Sequence, residues 1–354
     1  MRILNRVIRN SIFASTLLVS AVIAGIQSFL SLVQQFSTVG NGEFSLYKAL
    51  IFVLMQLPAQ CYQLFPITGF LGTLIGLTRL ASSSQLIIMR SSGVSVIRIA
   101  WSVVKTAVVM ILVITTIGEG VGPSWQQQSE KMRENALFPT KHQSLLKSVW
   151  LHQDNQFTRI GELKNQSVMR DVTSYHFTSS GRMDKAITAR SGQLVDGQWV
   201  LSDVKKTYFL PGKIKSKTQP HAILHAEFKP NLQIQMSLTA TEENLISLYN
   251  TIHYRQSIGL GINQYLFTFL QRLLQPITTL VMICLAVPFV FGSFRSTSAG
   301  MKIISGVFIG FTFYMLNQLL GPITLVYQFP PLLAALLPTC LFLLIVMTLL
   351  LRVK

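Results

Sequence analysis

Six stretches of this chain, roughly 11–35, 49–77, 99–121, 264–292, 303–326 and 330–351, are apolar and nearly free of charge. Each reaches the about 20 residues a helix needs to cross the hydrocarbon core of a bilayer. Between the third and the fourth the pattern changes. Within 122–258 the apolar runs shorten to about five residues, the length of strands. Segments 149–151, 157–160, 168–177, 186–189, 199–201, 207–210, 222–228 and 232–238 read as strands, and Asp196 with Gly197 is a hairpin signal between Leu194 and Trp199. Many short strands separated by turn residues predict a sandwich or jelly roll. Leu245, Leu248 and Ile252 then recur at helical spacing, so 242–254 predicts an amphipathic helix leading back to the bilayer, with Gly259 and Gly261 as a loose joint. The expected fold is an α-helical polytopic membrane protein of six transmembrane helices with an inserted all-β jelly-roll domain. Its divisions are 1–121, 122–258 and 259–354.

Composition agrees. Of 354 residues, 50% are hydrophobic and 12% charged, against about 25% charged in soluble proteins, which excludes an ordinary soluble two-domain enzyme. The net charge of +17 raises nucleic acid as a partner, but its distribution answers otherwise. Arg2, Arg6, Arg9, Arg79, Arg90, Arg98, Lys105, Arg295, Lys302, Arg352 and Lys354 all fall on the side that carries both termini, and no Asp or Glu accompanies them. Basic residues near span ends stay in the cytoplasm, so both termini are expected there and the 122–258 block is expected to be exported. Arg2, Arg6 and Arg9 precede the first span as they would a signal peptide, with Ala21 and Ala24 near a plausible cleavage site. The apolar run continues through Phe29, Leu30, Leu32 and Val33, too far for a signal, and predicts an uncleaved helix. Cys61, Cys284 and Cys340 each lie within a span, so the exported block is expected to depend on a packed core without disulfides. No metal-ligand spacing is present.

Inside the spans, Pro58 and Pro66 are expected to bend the second helix. The pairs Gly72/Gly76 and Gly306/Gly310 permit close helix approach, with packing inside the chain as the expected use. Segment 82–93 reads SSSQLIIMRSSG: Ser82, Ser83 and Ser84 can cap a helix, Leu86, Met89 and Arg90 share a face, and Gly93 can end it. A solvated connector and a surface helix that docks a cytoplasmic partner both fit.

Chemistry is sparse. Gly212 and Lys213 are followed by Ile214 and lack the upstream glycine of a P-loop, and neither a G-x-S-x-G elbow nor an H-E-x-x-H motif occurs. No catalytic residue is expected, and carboxylates are too few in the spans for a proton relay. Glu119, near the outer end of span three, and Arg272, about two turns into span four, are placed to pair; an anionic ligand on Arg272 is the other reading. Asn317 and Gln318 either bond neighbouring helices or line a path. Lys131 and Arg133 follow span three, where they can meet lipid phosphates.

Several stretches resemble the LptF/LptG (YjgP/YjgQ) family of lipopolysaccharide export permeases. The strongest is FIGFTFYMLNQLLGPITLVYQFPPLLAALLP at 308–338; FPITGFLGTLIGL at 65–77, MRSSG at 89–93, IGEGVGP at 117–123 and QPITTLVMICLAVPFVFGSFRS at 275–296 support it. The resemblance covers nearly the whole chain and is weak in the exported block. It implies a non-catalytic permease subunit of an ATP-driven ABC transporter in the bacterial inner membrane. Such a subunit pairs with an LptF paralogue, binds an LptB ATPase dimer and passes lipopolysaccharide from the outer leaflet to LptC, toward the outer membrane. The permease itself binds no cofactor; ATP is used by the partner. The resemblance further implies a coupling helix containing Gln85, Leu86, Met89 and Arg90, lipid or phosphate contacts at Arg133, Arg272 and Phe65, and a lateral gate at Ile26, Leu30, Asn317 and Leu320. Two departures stand out. Gln85 replaces a common glutamate, which leaves a neutral hydrogen bond and shifts weight to Leu86 and Met89. Ser31, Ser37 and Thr38 stand where relatives carry lysines at the outer end of span one, leaving phosphate to Arg133 and Arg272. A lipoprotein-releasing permease, usually of four spans, and a membrane-anchored interaction protein are the alternatives.

Overall fold

The computed structural model describes residues 2–137, 147–153, 155–164, 168–178, 181–195, 198–210, 213–224, 243–257, 261–291, 298–327 and 329–352. They form two compact units. One comprises 1–134, 240–252 and 261–354; the other comprises 135–239 and 253–260.

The first unit is helical. Its elements are α1 (Arg2–Gln35), α2 (Leu46–Ser82), α3 (Gln85–Ser91), α4 (Val96–Gly120), most of α5 (Gly122–Leu137), the first two turns of α6 (Leu245–Ser257), α7 (Asn263–Phe291), α8 (Ala299–Val326) and α9 (Pro331–Arg352). Six helices among the described residues are long and apolar enough to span a bilayer, and they coincide with the six stretches read from the sequence. Helix α2 is central: Phe70, Leu74 and Leu77 are buried with Ile8 and Ile12 of α1, Ile99 and Val103 of α4, and Met282 and Ala286 of α7. Glycine makes this crowding possible. A Cβ on Gly72 would lie 2.4 Å from Thr16 Cα, and one on Gly76 would lie 3.1 Å from Ile12 Cα. Ser11 Oγ donates to the Gly76 carbonyl at 3.0 Å across the same crossing. From the other side, a Cβ on Gly306 would meet Leu74 Cδ2 at 2.4 Å and one on Gly310 would meet Ile67 Cγ2 at 3.0 Å. Both glycine pairs thus serve packing within the chain, as expected. Pro58 and Pro66 sit inside α2, which continues to Ser82.

Helix α5 was not foreseen. The chain does not turn to strands at 122 but stays helical to Leu137, because Ser129 and Ala136 provide a buried face on an otherwise polar helix. The compact helical unit therefore extends past the expected boundary at 121, and the start of α6 belongs with it too.

The second unit holds six strands: β1 (Lys147–Gln153), β2 (Gln156–Lys164), β3 (Val168–Phe177), β4 (Met183–Val195), β5 (Gln198–Leu210) and β6 (Lys213–Leu224). They pair antiparallel in sequence order. The expected inserted β domain is present, with β3 as read. Segments 232–238, Asp196, Gly197 and Gly259 lie outside the described residues. Val195 of β4 pairs with Gln198 of β5. Segments 199–201 and 207–210, expected as separate strands, are one strand, β5.

The reason is a row that crosses the whole sheet. Every ladder skips one position, and the skipped residues line up as Ser148, Gly161, Asp171, Arg190, Asp203 and Pro220. Asp171 and Asp203 are left-handed, with φ of 50° and 55°, a conformation that aspartate tolerates better than most residues. Pro220 lacks an N–H to pair. A Cβ on Gly161 would lie 2.7 Å from that of Asp171. The alternation of buried residues changes phase at the row: Met169 gives way to Val172 and Ser174, Ile187 and Ala189 to Gly192, and Trp199 and Leu201 to Val204. One apolar face therefore continues through it, with Ile160, Met169, Val172, Ile187, Trp199, Leu201 and Val204 in a single core.

At the far end of β3, His176 stands across from Lys185. Burial pushes its imidazole below the usual histidine range, Lys185 adds to the shift, and Asp184 opposes it. With the folded value depressed, the unfolded chain binds more protons, so stability here falls as pH drops below about 6.5. Protection factors of β3 and β4 amides, corrected for the intrinsic exchange rate at each pH, are expected to fall on acidification through that range, and His176→Gln to flatten the dependence.

Candidate functional site: a polar cavity among the membrane helices

A cavity of about 290 Å³ lies within the helical unit. Gln60 and Gln63 of α2, Gln271 and Gln275 of α7, and Asn317 and Gln318 of α8 line it. So many amides among membrane-spanning helices mark a hydrated or ligand-bearing space, since hydrocarbon offers no partners. Some are tied: Gln275 Nε2 donates to the Tyr62 carbonyl at 2.6 Å, and Gln318 Nε2 donates to the Tyr314 hydroxyl at 2.9 Å. Others are not. Gln60 Oε1, the Tyr62 hydroxyl and both oxygens of Glu119 are buried with no hydrogen bond of normal geometry.

The charge in this wall is paired. Arg272 Nη1 lies 3.7 Å from Glu119 Oε2, with the two side chains 12% and 15% exposed. The same nitrogen donates to the main-chain carbonyl of Glu243. Glu243 in turn accepts from Thr251 Oγ1 at 2.7 Å and Ser247 Oγ at 3.1 Å, while Asn244 Oδ1 accepts from Ser247 N at 2.7 Å and so caps α6. Arg272 thereby joins α4, α7 and the start of α6. Of the two readings open for it, the structure realises the ion pair.

Arg133 has a different setting. On α5, its Nε donates to Gln35 Oε1 at the end of α1 at 3.0 Å, Nη1 lies 3.7 Å from Glu130, and Cζ sits 5.6 Å from the Phe52 ring centroid. Its side chain keeps 29% exposure. Phe65 does not meet its expectation as a lipid contact: it is buried within the α2 core, because the adjoining turns of α2 pack against α7. Of the gate residues, Ile26 and Leu30 are exposed on α1, Asn317 lines the cavity, and Leu320 is buried with Phe267, Ala334 and Ala335.

At the opposite end of α2, α3 forms where the 82–93 segment predicted a helix. Its start differs from expectation. Ser84 occupies the N-cap in a left-handed conformation, φ 60°, with no side-chain cap, whereas Gly93, φ 83°, closes the other end as expected. Leu86 is 2% exposed and belongs to the chain's own core, and Met89 packs partly against it. The face expected to dock a partner is therefore largely internal. What α3 shows outward is Gln85, Arg90 and above all Ile88, 62% exposed. Spacing gives a face without saying which side the chain keeps.

Six spanning helices among the described residues, a polar cavity between them, and uncovered apolar faces on α1 and α8 define a polytopic membrane protein of the transport class. The sequence model of the lipopolysaccharide export system permeases LptF/LptG matches residues 6–352, and the chain belongs to that family. It is 29% identical over 353 residues to the lipopolysaccharide export system permease protein LptG of Escherichia coli strain K12, covering 99% of this chain and 98% of that protein. The Haemophilus influenzae protein of the same name is 29% identical over 351 residues, with the same coverage. The chain is thus a multi-pass inner-membrane permease of lipopolysaccharide export.

Proposed function

We propose that this chain is the permease subunit of an ATP-driven transporter that lifts lipopolysaccharide from the outer leaflet of the inner membrane and hands it to a periplasmic bridge. The observation that carries this reading is the family match from residue 6 to 352 together with the helical architecture it accompanies. Both termini lie in the cytoplasm and the β unit in the periplasm, a reading supported by eleven basic residues without an acid on the side of the termini. An LptF paralogue covers the apolar faces of α1 and α8, where Leu17, Phe29, Phe308 and Phe311 stand exposed. An LptB ATPase dimer engages α3 and supplies the energy, and LptC receives the lipid. Arg133, partly exposed at the head of α1 and α2, is the phosphate contact; Arg272 stays with Glu119 as a clamp between helices.

Depletion of the protein is expected to strand lipopolysaccharide in the inner membrane; normal surface delivery after depletion would refute the proposal. A finer test concerns α3. Ile88→Glu is expected to reduce lipid release from vesicles at least about tenfold, a loss of about 1.4 kcal/mol at the coupling contact, with melting temperature unchanged. Leu86→Glu, in the chain's own core, is expected to lower the melting temperature as well. Full transport by Ile88→Glu would exclude α3 as the coupling element.

A further inference from the structure

A second cavity, of about 590 Å³, opens between α3, the last turns of α2 and α7, and the first turn of α8. Its chemistry is one-sided. Lys302 lines it, is only 5% exposed, and its ammonium makes no ion pair or hydrogen bond among the described residues. Thr78 lines it too, with Oγ1 buried and unpartnered. Arg90 of α3 adds a guanidinium, while Leu86, Val290 and Phe291 supply apolar walls. The amino end of α8, capped by Ser298 accepting from Met301 N at 3.3 Å, contributes its positive dipole end.

An ammonium at the end of a largely buried side chain, with no counter-charge, is unfavourable, and the neighbouring segments offer no side-chain acid: 1–10, 78–98, 292–302 and 350–354 contain no Asp or Glu. The compensating anion must come from outside the chain. Depth decides which anion. Helix α8 has 28 residues, about 42 Å at 1.5 Å each, against a hydrocarbon core of about 30 Å. Its first turn therefore lies at headgroup level. Beyond Lys302, Ile304 is exposed on the next turn of α8, an apolar surface for the start of the acyl chains.

We infer that this cavity binds the phosphate of an anionic phospholipid from the leaflet on the side of the termini. Lys302 and Arg90 hold the phosphate oxygens, the Thr78 hydroxyl donates to one of them, and the glycerol root rests on Leu86 and Phe291. Basic recesses between membrane helices suit such headgroups. The lipid bridges α3 to α8.

The test uses the purified transporter complex, with phosphatidylglycerol and phosphatidylcholine as probes and bound lipid read by native mass spectrometry. Wild type is expected to retain phosphatidylglycerol at this site, Lys302→Arg to keep it, and Lys302→Gln to bind it about fivefold to tenfold more weakly. Because Lys302→Gln removes a buried side chain, Arg90→Gln at the exposed rim provides a second reading and is expected to weaken retention about threefold to fivefold. Retention unchanged in both glutamine variants would overturn the inference, as would equal retention of phosphatidylcholine. Displacement by inorganic phosphate at matched concentration would point to a free-anion site instead. Phosphatidylglycerol that binds only after the ATPase is stripped away would show an acidic side chain of the ATPase as the occupant.

Discussion

Gly72→Ala is expected to destabilise the helical unit by about 3 kcal/mol, at the upper end of what overpacking usually costs, and Gly72→Leu to prevent recovery of folded protein. The added Cβ would stand 2.4 Å from Thr16 Cα and 2.7 Å from Thr16 Cβ, against backbone and a stiff β-branched side chain, neither of which can swing aside. Helices α1 and α2 would have to separate, opening a contact that includes Ile8, Ile12, Leu74 and Leu77. Gly25→Ala is the control. Nothing lies within 4 Å of its added Cβ, and alanine is the better helix former, so no loss of stability is expected there. Melting temperature and extraction yield of the two alanine variants, measured side by side, separate close approach from a general intolerance of α1 and α2 to substitution.

Arg272→Ala is expected to cost about 3–5 kcal/mol, the range for removing one partner of a buried pair. It leaves the Glu119 carboxylate without its counter-charge and removes a donor from the Glu243 carbonyl, loosening the start of α6 from α7. The double variant Glu119→Gln with Arg272→Gln is expected to be less destabilised than the sum of the singles, because no charge is then left uncompensated. Lipid crosslinking per folded molecule should stay near wild type in Arg272→Ala and fall in Arg133→Ala. The reverse result would make Arg272 the phosphate contact.

Much of this architecture was legible because bilayers and sheets impose strong patterns. The six spans follow from uninterrupted apolar length, and β3 from a run whose flanking residues turn. What escaped lacked that pattern. Helix α5 is polar on most of its surface, and the spacing of Ser129 and Ala136 is a weak signal for a helix. Strand β5 was divided because Asp203 breaks the alternation, and alternation was the only guide available. At the candidate site, Glu119 and Arg272 were found as the few charges within apolar stretches, and they do pair. Of the amide wall around them only Asn317 and Gln318 stand out in the sequence, since glutamines dispersed over three helices come together only when the helices pack. Leu86 and Phe65 were misdirected for a common reason: an apolar residue at a membrane helix or its edge has two apolar neighbours to choose from, lipid and protein, and spacing does not distinguish them.

The row of skipped positions also bears on how the β unit finds its alignment. In an ordinary sheet, a strand displaced by two residues still presents its apolar side chains to the core, so such slips are poorly resisted. Here each strand carries its own reference mark, at Ser148, Gly161, Asp171, Arg190, Asp203 or Pro220, and in β3, β4 and β5 the burial pattern reverses phase there. A slip of either parity would bring the mark of one strand beside regular pairing in the next and turn part of its apolar set outward. The strands share a single alignment in which all the marks coincide, a vernier that selects the native register without disulfides.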